Sequence, residues 1–176
     1  TAQVFMDCLV LTGHLLAKTR IEVRRQFSAT RRPGINRNEL QQVLVNLMVN
    51  AVHAMPDGGV LSLATADAGE GAVSLSVMDT GAGLPAELMD DLFKPFITRK
   101  KDGTGLGLWI SRSIIERYGG DIHAGNRPEG GAVMTERAVQ RDESVADQAV
   151  GKEAAFGGRR RGDGVAGNIL RQRHMP

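Results

Sequence analysis

The residue types with the clearest chemical use fall into four clusters, at 42–53, 79–83, 92–101 and 103–108. In the first, Gln42, Asn46, Asn50 and His53 recur at spacings of four, four and three, which on a helix places them on one stripe. Solvent-facing stripes usually use Glu, Lys and Arg, and Asn is a mediocre helix former, so its repetition here points away from a stability role. An amide oxygen is a hard ligand suited to Mg²⁺, which takes few protein ligands and fills its shell with water and phosphate oxygens. A plain solvated face fits the same spacing. In the second cluster Asp79 ends an apolar run and is followed by Thr80-Gly81-Ala82-Gly83. A carboxylate so placed can accept an exocyclic amine while the glycine backbone closes on a flat ring. Asp-Thr-Gly is also an ordinary turn. The third cluster, Leu92 to Lys101, combines Phe93 and Phe96 with Lys94, Arg99, Lys100 and Lys101. Anchoring aromatics beside cations suit a mobile lid over polyphosphate, or a solvated basic loop. The fourth, Gly103-Thr104-Gly105-Leu106-Gly107-Leu108, leads into a helix. Its alternate glycines expose backbone N–H groups where the helix dipole favours anions. Their spacing is neither the dinucleotide fingerprint nor a Walker A loop.

The elements that must position these clusters can be read from periodicity. Val4, Phe5, Cys8, Leu9, Leu11, Leu15 and Leu16 predict a helix over 2–18. Ile21, Val23 and Phe27 predict a strand, ended by Thr30-Arg31-Arg32-Pro33-Gly34. From Glu39 to Met55 an apolar face recurs at helical spacing until Pro56-Asp57-Gly58-Gly59 stops it. Strands near 60–66 and 72–79 form a hairpin, a short helix follows near 85–91, and a helix from Leu106 to Tyr118 ends at Gly119-Gly120. Strands near 121–125 and 131–135 close the domain. This order predicts an α+β fold with a mixed, mostly antiparallel sheet over residues 1–135.

Composition narrows the class. The chain has 176 residues, 41% hydrophobic and 24% charged, enough for one domain with a sizeable core. A net charge of +2 gives no electrostatic case for a nucleic-acid partner, and the single cysteine, Cys8, excludes a disulfide framework or a cysteine-based zinc cluster. No uncharged apolar run nears the ~20 residues of a membrane helix, so a cytoplasmic location is expected, with any membrane anchor lying elsewhere in a parent protein. Residues 137–176 hold 8 Lys+Arg against 5 Asp+Glu, leaving the first 136 residues at 14 against 15. With no apolar period and a Gly-Gly-Arg-Arg-Arg-Gly run, 136–176 are expected to be a disordered tail.

The order of the four clusters resembles the ATP-binding catalytic domain of two-component sensor histidine kinases, in the superfamily shared with gyrase, Hsp90 and MutL. Glu39 to Met55 looks like the N box, Asp79 to Gly83 the G1 box, Phe93 to Phe96 the F box and Gly103 to Leu108 the G2 box. The similarity spans about residues 2–135. It implies a two-layer α/β sandwich of the Bergerat type, with ATP between the N-box helix and the lid. By this resemblance Asp79 accepts the adenine amine with Gly81 and Gly83 beside it, Asn50 holds Mg²⁺ with Asn46 adjacent, and His53 sits near the phosphates. Lys94, Arg99, Lys100 and Lys101 then belong to the lid. Gly103, Gly105 and Gly107 shape the phosphate loop, and Thr104, Leu106 and Leu108 make minor contacts. The implied partners are a dimerisation hairpin carrying the phospho-accepting histidine and a downstream response regulator, and this chain alone is expected to be monomeric.

Two features depart from the resemblance. None of His14, His53, His123 and His174 is followed by Asp or Glu, so the phosphate acceptor is not expected in this chain. After Gly-Gly-Ala-Val the chain runs Met134-Thr135-Glu136-Arg137-Ala138-Val139 instead of a clean alternating strand. Two other readings stay open: a degenerate module that binds without phosphotransfer, and a gyrase- or MutL-like ATPase. The latter would need a catalytic Glu where Asn46 stands.

Overall fold

The computed structural model of the chain describes residues 2–69, 71–98 and 103–139. Helix α1 (Ala2–Leu16) leads to strand β1 (Ile21–Phe27), then helix α2 (Arg37–His53) and the hairpin of β2 (Gly59–Ala68) and β3 (Ala72–Met78). A 3₁₀ turn, Ala86–Asp91, precedes helix α3 (Gly107–Arg117), and β4 (Asp121–Asn126) and β5 (Ala132–Val139) follow. The sheet order is β1-β2-β3-β5-β4; β1 pairs parallel with β2 and every other pair is antiparallel. The result is the expected α+β sandwich with a mixed sheet.

Helix α2 organises the core. Its start is capped by Asn36, whose side chain accepts from Asn38 N at 2.9 Å, and Glu39 in the first turn suits the helix dipole. Leu40, Val43, Leu44, Leu47 and Met48, each 1% exposed or less, face the sheet. They meet Leu61 and Leu63 of β2 and Val73, Leu75 and Val77 of β3 in one cluster, which Phe5 and Cys8 of α1 and Ile114 and Ile115 of α3 complete. Each such side chain contributes on the order of 1.5–3 kcal/mol by leaving water.

The end of the domain differs from expectation. Strand β5 continues to Val139, four residues past the predicted boundary at 135, because its inward positions stay buried throughout: Ala132, Met134, Glu136 and Ala138. Backbone pairing with β3, from Ala72–Val139 to Met78–Val133, carries the strand through the polar residues. The rest of the expected tail, 140–176, lies outside the described residues.

Candidate functional site

The Asp79 carboxylate sits just past β3 and is only 6% exposed. Its Oδ1 accepts from Gly81 N at 2.9 Å and from Ala132 N at 3.2 Å. Among the described residues no hydrogen bond reaches Oδ2. The backbone around it is fixed as well: Asp79 N donates to Ala132 O at 3.0 Å, and Arg127 Nη1 donates to Asp79 O at 3.1 Å. Thr80 Oγ1 accepts from Val60 N at 2.9 Å, tying this loop to β2. The carboxylate is thus held by one oxygen and offers the other.

Two glycine-bearing loops touch α2 about two helical turns apart. A Cβ on Gly81 would lie 2.3 Å from Ala54 O, at the end of α2; a Cβ on Gly107 would lie 2.3 Å from Asn46 Oδ1. At Gly81 the clash is with backbone, so glycine is required for that approach; at Gly107 a Cβ would have to displace the Asn46 carboxamide. Asn50 lies midway between the two contacts, on the same stripe of α2 as Asn46. His53 is the last residue of α2 and is exposed. Asn46 Nδ2 donates to Ser111 Oγ at 2.9 Å, so its amide is engaged with α3. Gly83 lies beside Asn126, which accepts from Leu84 N at 2.6 Å and donates to Leu84 O at 2.8 Å, closing the far side of the Asp79 loop.

The predicted lid and phosphate loop share one base. Phe96 N donates to Gly105 O at 2.9 Å, which ties the two described ends together. Arg99, Lys100 and Lys101 lie outside the described residues. Lys94 is exposed and ion-paired with Asp91 at 2.5 Å, and that hydrogen bond raises its ammonium above the ordinary lysine range. Thr104 Oγ1 faces Leu106 N at 3.4 Å, and Gly103 lies at the loop's return. Leu106 caps α3 through its backbone only, Gly107 begins the helix and Leu108 packs against the core. With no side chain capping them, the first N–H groups of α3 are available to an anion.

Sequence reasoning missed Ser111, Asn126, Arg127 and the Ala132 amide. The amide has no side-chain signature at all, and a lone Ser, Asn or Arg carries no spacing that marks it. Their contacts cross 42 to 65 residues of chain.

Residues 35–140 match the family described as histidine kinase-, DNA gyrase B-, and HSP90-like ATPase. The sensor histidine kinase ZraS of Klebsiella oxytoca is 45% identical over 98 residues, 56% of this chain and 21% of that protein. The chain therefore spans about a fifth of that curated relative. The nucleotide-free catalytic domain of the histidine kinase ThkA superposes with a TM-score of 0.72 at 33% identity, covering 79% of this chain and 91% of the other. ThkA in complex with the response regulator TrrA gives a TM-score of 0.68 at 30% identity, over 80% of this chain and 40% of that one. By this match and this superposition, the chain belongs to the histidine kinase-, DNA gyrase B-, and HSP90-like ATPase family and is a catalytic, ATP-binding domain of its histidine kinase branch.

Proposed function

We propose that this domain binds Mg·ATP and transfers the γ-phosphoryl group to a histidine on a separate dimerisation hairpin, from which it passes to a response regulator. The observation that carries the site is Asp79: a buried carboxylate with Oδ1 saturated by backbone donors and Oδ2 uncommitted among the described residues. That oxygen suits the exocyclic amine of adenine, with Gly81 and Gly83 bordering the ring. The polyphosphate then lies between α2 and the first turn of α3. Gly103, Thr104, Gly105, Leu106, Gly107 and Leu108 line it, and Lys94, Arg99, Lys100 and Lys101 supply lid cations.

The donor set fits Mg²⁺ in the way that ion prefers. Among the described residues no group of three or more His, Cys, Asp or Glu could cage a metal. One amide oxygen, from Asn50, plus phosphate oxygens and water matches a cation that keeps most of its hydration shell. When bound, Mg²⁺ neutralises charge on the transferring phosphoryl group. The protein's own part is positioning: Asn50 and His53 border the phosphates, and Asn46 holds the neighbouring helix. In the transfer, an imidazole nitrogen of the acceptor forms a bond to the γ-phosphorus as the bond to the ADP oxygen breaks. The imidazole proton passes to a base on the hairpin. Asn46 stands where a hydrolytic relative needs a general base, and an amide donating to Ser111 cannot serve as one.

The test is transfer of labelled γ-phosphate to a supplied histidine-bearing hairpin from a similar kinase. Acid-labile, base-stable phosphate on the hairpin is expected. Nucleotide binding with no transfer to any hairpin would leave only the binding module.

A further inference from the structure

Helix α3 is fastened to α2 at both ends, and the two fastenings differ in kind. At its carboxyl end Arg117 and the Tyr118 hydroxyl both engage the Glu39 carboxylate in the first turn of α2. At its amino end the Asn46 carboxamide spans one turn of α3: Oδ1 lies against Gly107, where a Cβ would come within 2.3 Å, and Nδ2 donates to Ser111 Oγ at 2.9 Å. Ser111 is 1% exposed, in a helix face otherwise filled by Ile114 and Ile115. A hydroxyl there is the only polar group that α3 turns inward among its buried residues.

We infer that Ser111 is a positioning residue for the polyphosphate half of the nucleotide: by holding Asn46 across the first turn of α3, it fixes the N–H groups of that turn relative to Asn50. This rests on the nucleotide reading above. Ser111 lies a full turn inside the helix and is buried, so it touches no ligand. Its effect passes through Asn46 and the position of Gly107. Removing the hydroxyl leaves the Asn46 amide without its acceptor and frees it to turn, and α3 can then shift at its amino end while the Glu39 clamp still holds the other. Adenine contacts are spared, because the Asp79 loop is fastened to the end of α2, to β2, β5 and Asn126, and not to α3.

The experiment compares ADP with adenosine on the full chain, ADP by calorimetry and adenosine by NMR titration, which reads millimolar affinities. Ser111→Ala is expected to weaken ADP binding about 5- to 10-fold and leave adenosine unchanged, a change of about 1–1.4 kcal/mol in the ratio. Asn46→Ala should do the same, and the double variant should be no worse than Asn46→Ala alone, since both changes break one contact. Tyr118→Phe, at the other fastening, should lower the melting temperature without altering the ratio. Should Ser111→Ala fail to fold, Ser111→Cys keeps the volume with a much weaker acceptor and answers the same question. Equal weakening of ADP and adenosine, or an unchanged ratio in a folded variant, overturns the inference. If the wild-type chain binds neither ligand, it is the nucleotide reading that fails instead.

Discussion

Asp79 and Glu136 are both buried acids of the same sheet region, and their surroundings could hardly differ more. Asp79 follows β3 and receives two backbone N–H groups on one oxygen, leaving the other free among the described residues. Glu136 sits mid-strand in β5, opposite Leu75 of β3 and Ile122 of β4, fully buried, with neither oxygen hydrogen-bonded among the described residues. Burial alone pushes its carboxyl up to about 8. The titratable group it influences is Cys8 of α1, whose thiol is raised to about 12 by its own burial first, then by the charges of Asp7 and Glu136. The lesson is that burial of an acid does not mark a site; donors that hold one oxygen and leave the other do. Glu136 is a core position filled by a polar residue, and the fold tolerates it in its neutral form.

The comparison can be broken first at Asp79. Asp79→Asn keeps a carbonyl oxygen for Gly81 N and Ala132 N, so the loop should hold, while an N–H₂ replaces the free acceptor. Adenine-nucleotide affinity is expected to fall on the order of 100-fold, the size of losing a hydrogen bond to a charged group, with the melting temperature nearly unchanged. A folded variant with unaltered affinity removes Asp79 from the adenine site.

At Glu136 the same kind of change should act on stability and not on binding. Glu136→Leu removes a buried carboxyl that has no partner and is expected to stabilise the chain by about 1–3 kcal/mol, a rise of several degrees in melting temperature, with nucleotide affinity intact. A fall in stability would mean that the carboxyl has a favourable role in the core.

The acid's titration gives a subtler effect. Its folded-state value of about 8 lies above the ordinary 4.5, so the folded chain binds the proton more tightly than the unfolded chain. The burial penalty it imposes is therefore smallest below about pH 4.5 and grows as pH rises toward about 8, so stability declines across that window. Melting temperatures across that window should decline more steeply for the wild type than for Glu136→Leu. Parallel curves would show that the Glu136 carboxyl titrates in the fold as it does in the unfolded chain.

Smallest is the effect expected at the metal. Asn50→Ala should leave adenosine binding alone and raise the Mg²⁺ concentration needed for tight ATP binding about 10-fold, roughly 1.4 kcal/mol. An unaltered metal titration would take Asn50 out of the Mg²⁺ shell.

The same contrast shows what a sequence reveals. Helices α1, α2 and α3 and the β2–β3 hairpin were legible because their apolar periods are local, and the boxes were legible because glycine and asparagine repeats are unusual. The parallel pairing of β1 with β2 was not, since it depends on a crossover through α2 that brings Ile21 beside Gly59. The end of β5 was misread for a physical reason: Glu136 at an inward position breaks the apolar alternation, yet the ladder with β3 holds the strand through it. Asp79 could be singled out by type and place, but the two N–H groups that orient it are backbone atoms of Gly81 and Ala132. Likewise Asn46 was legible as unusual, while its partner Ser111 was hidden 65 residues away.

The most direct test of the central claim is thermal unfolding of the wild-type chain with Mg·ATP, Mg·ADP and Mg·GTP. Ligand at about 100 times its dissociation constant adds about 2.7 kcal/mol to stability. An uncommitted Asp79 oxygen that accepts an exocyclic amine predicts a rise in melting temperature with ATP and ADP and none with GTP, whose ring presents a carbonyl at that position. Equal shifts with all three, or no shift in a cooperatively unfolding chain, would contradict it.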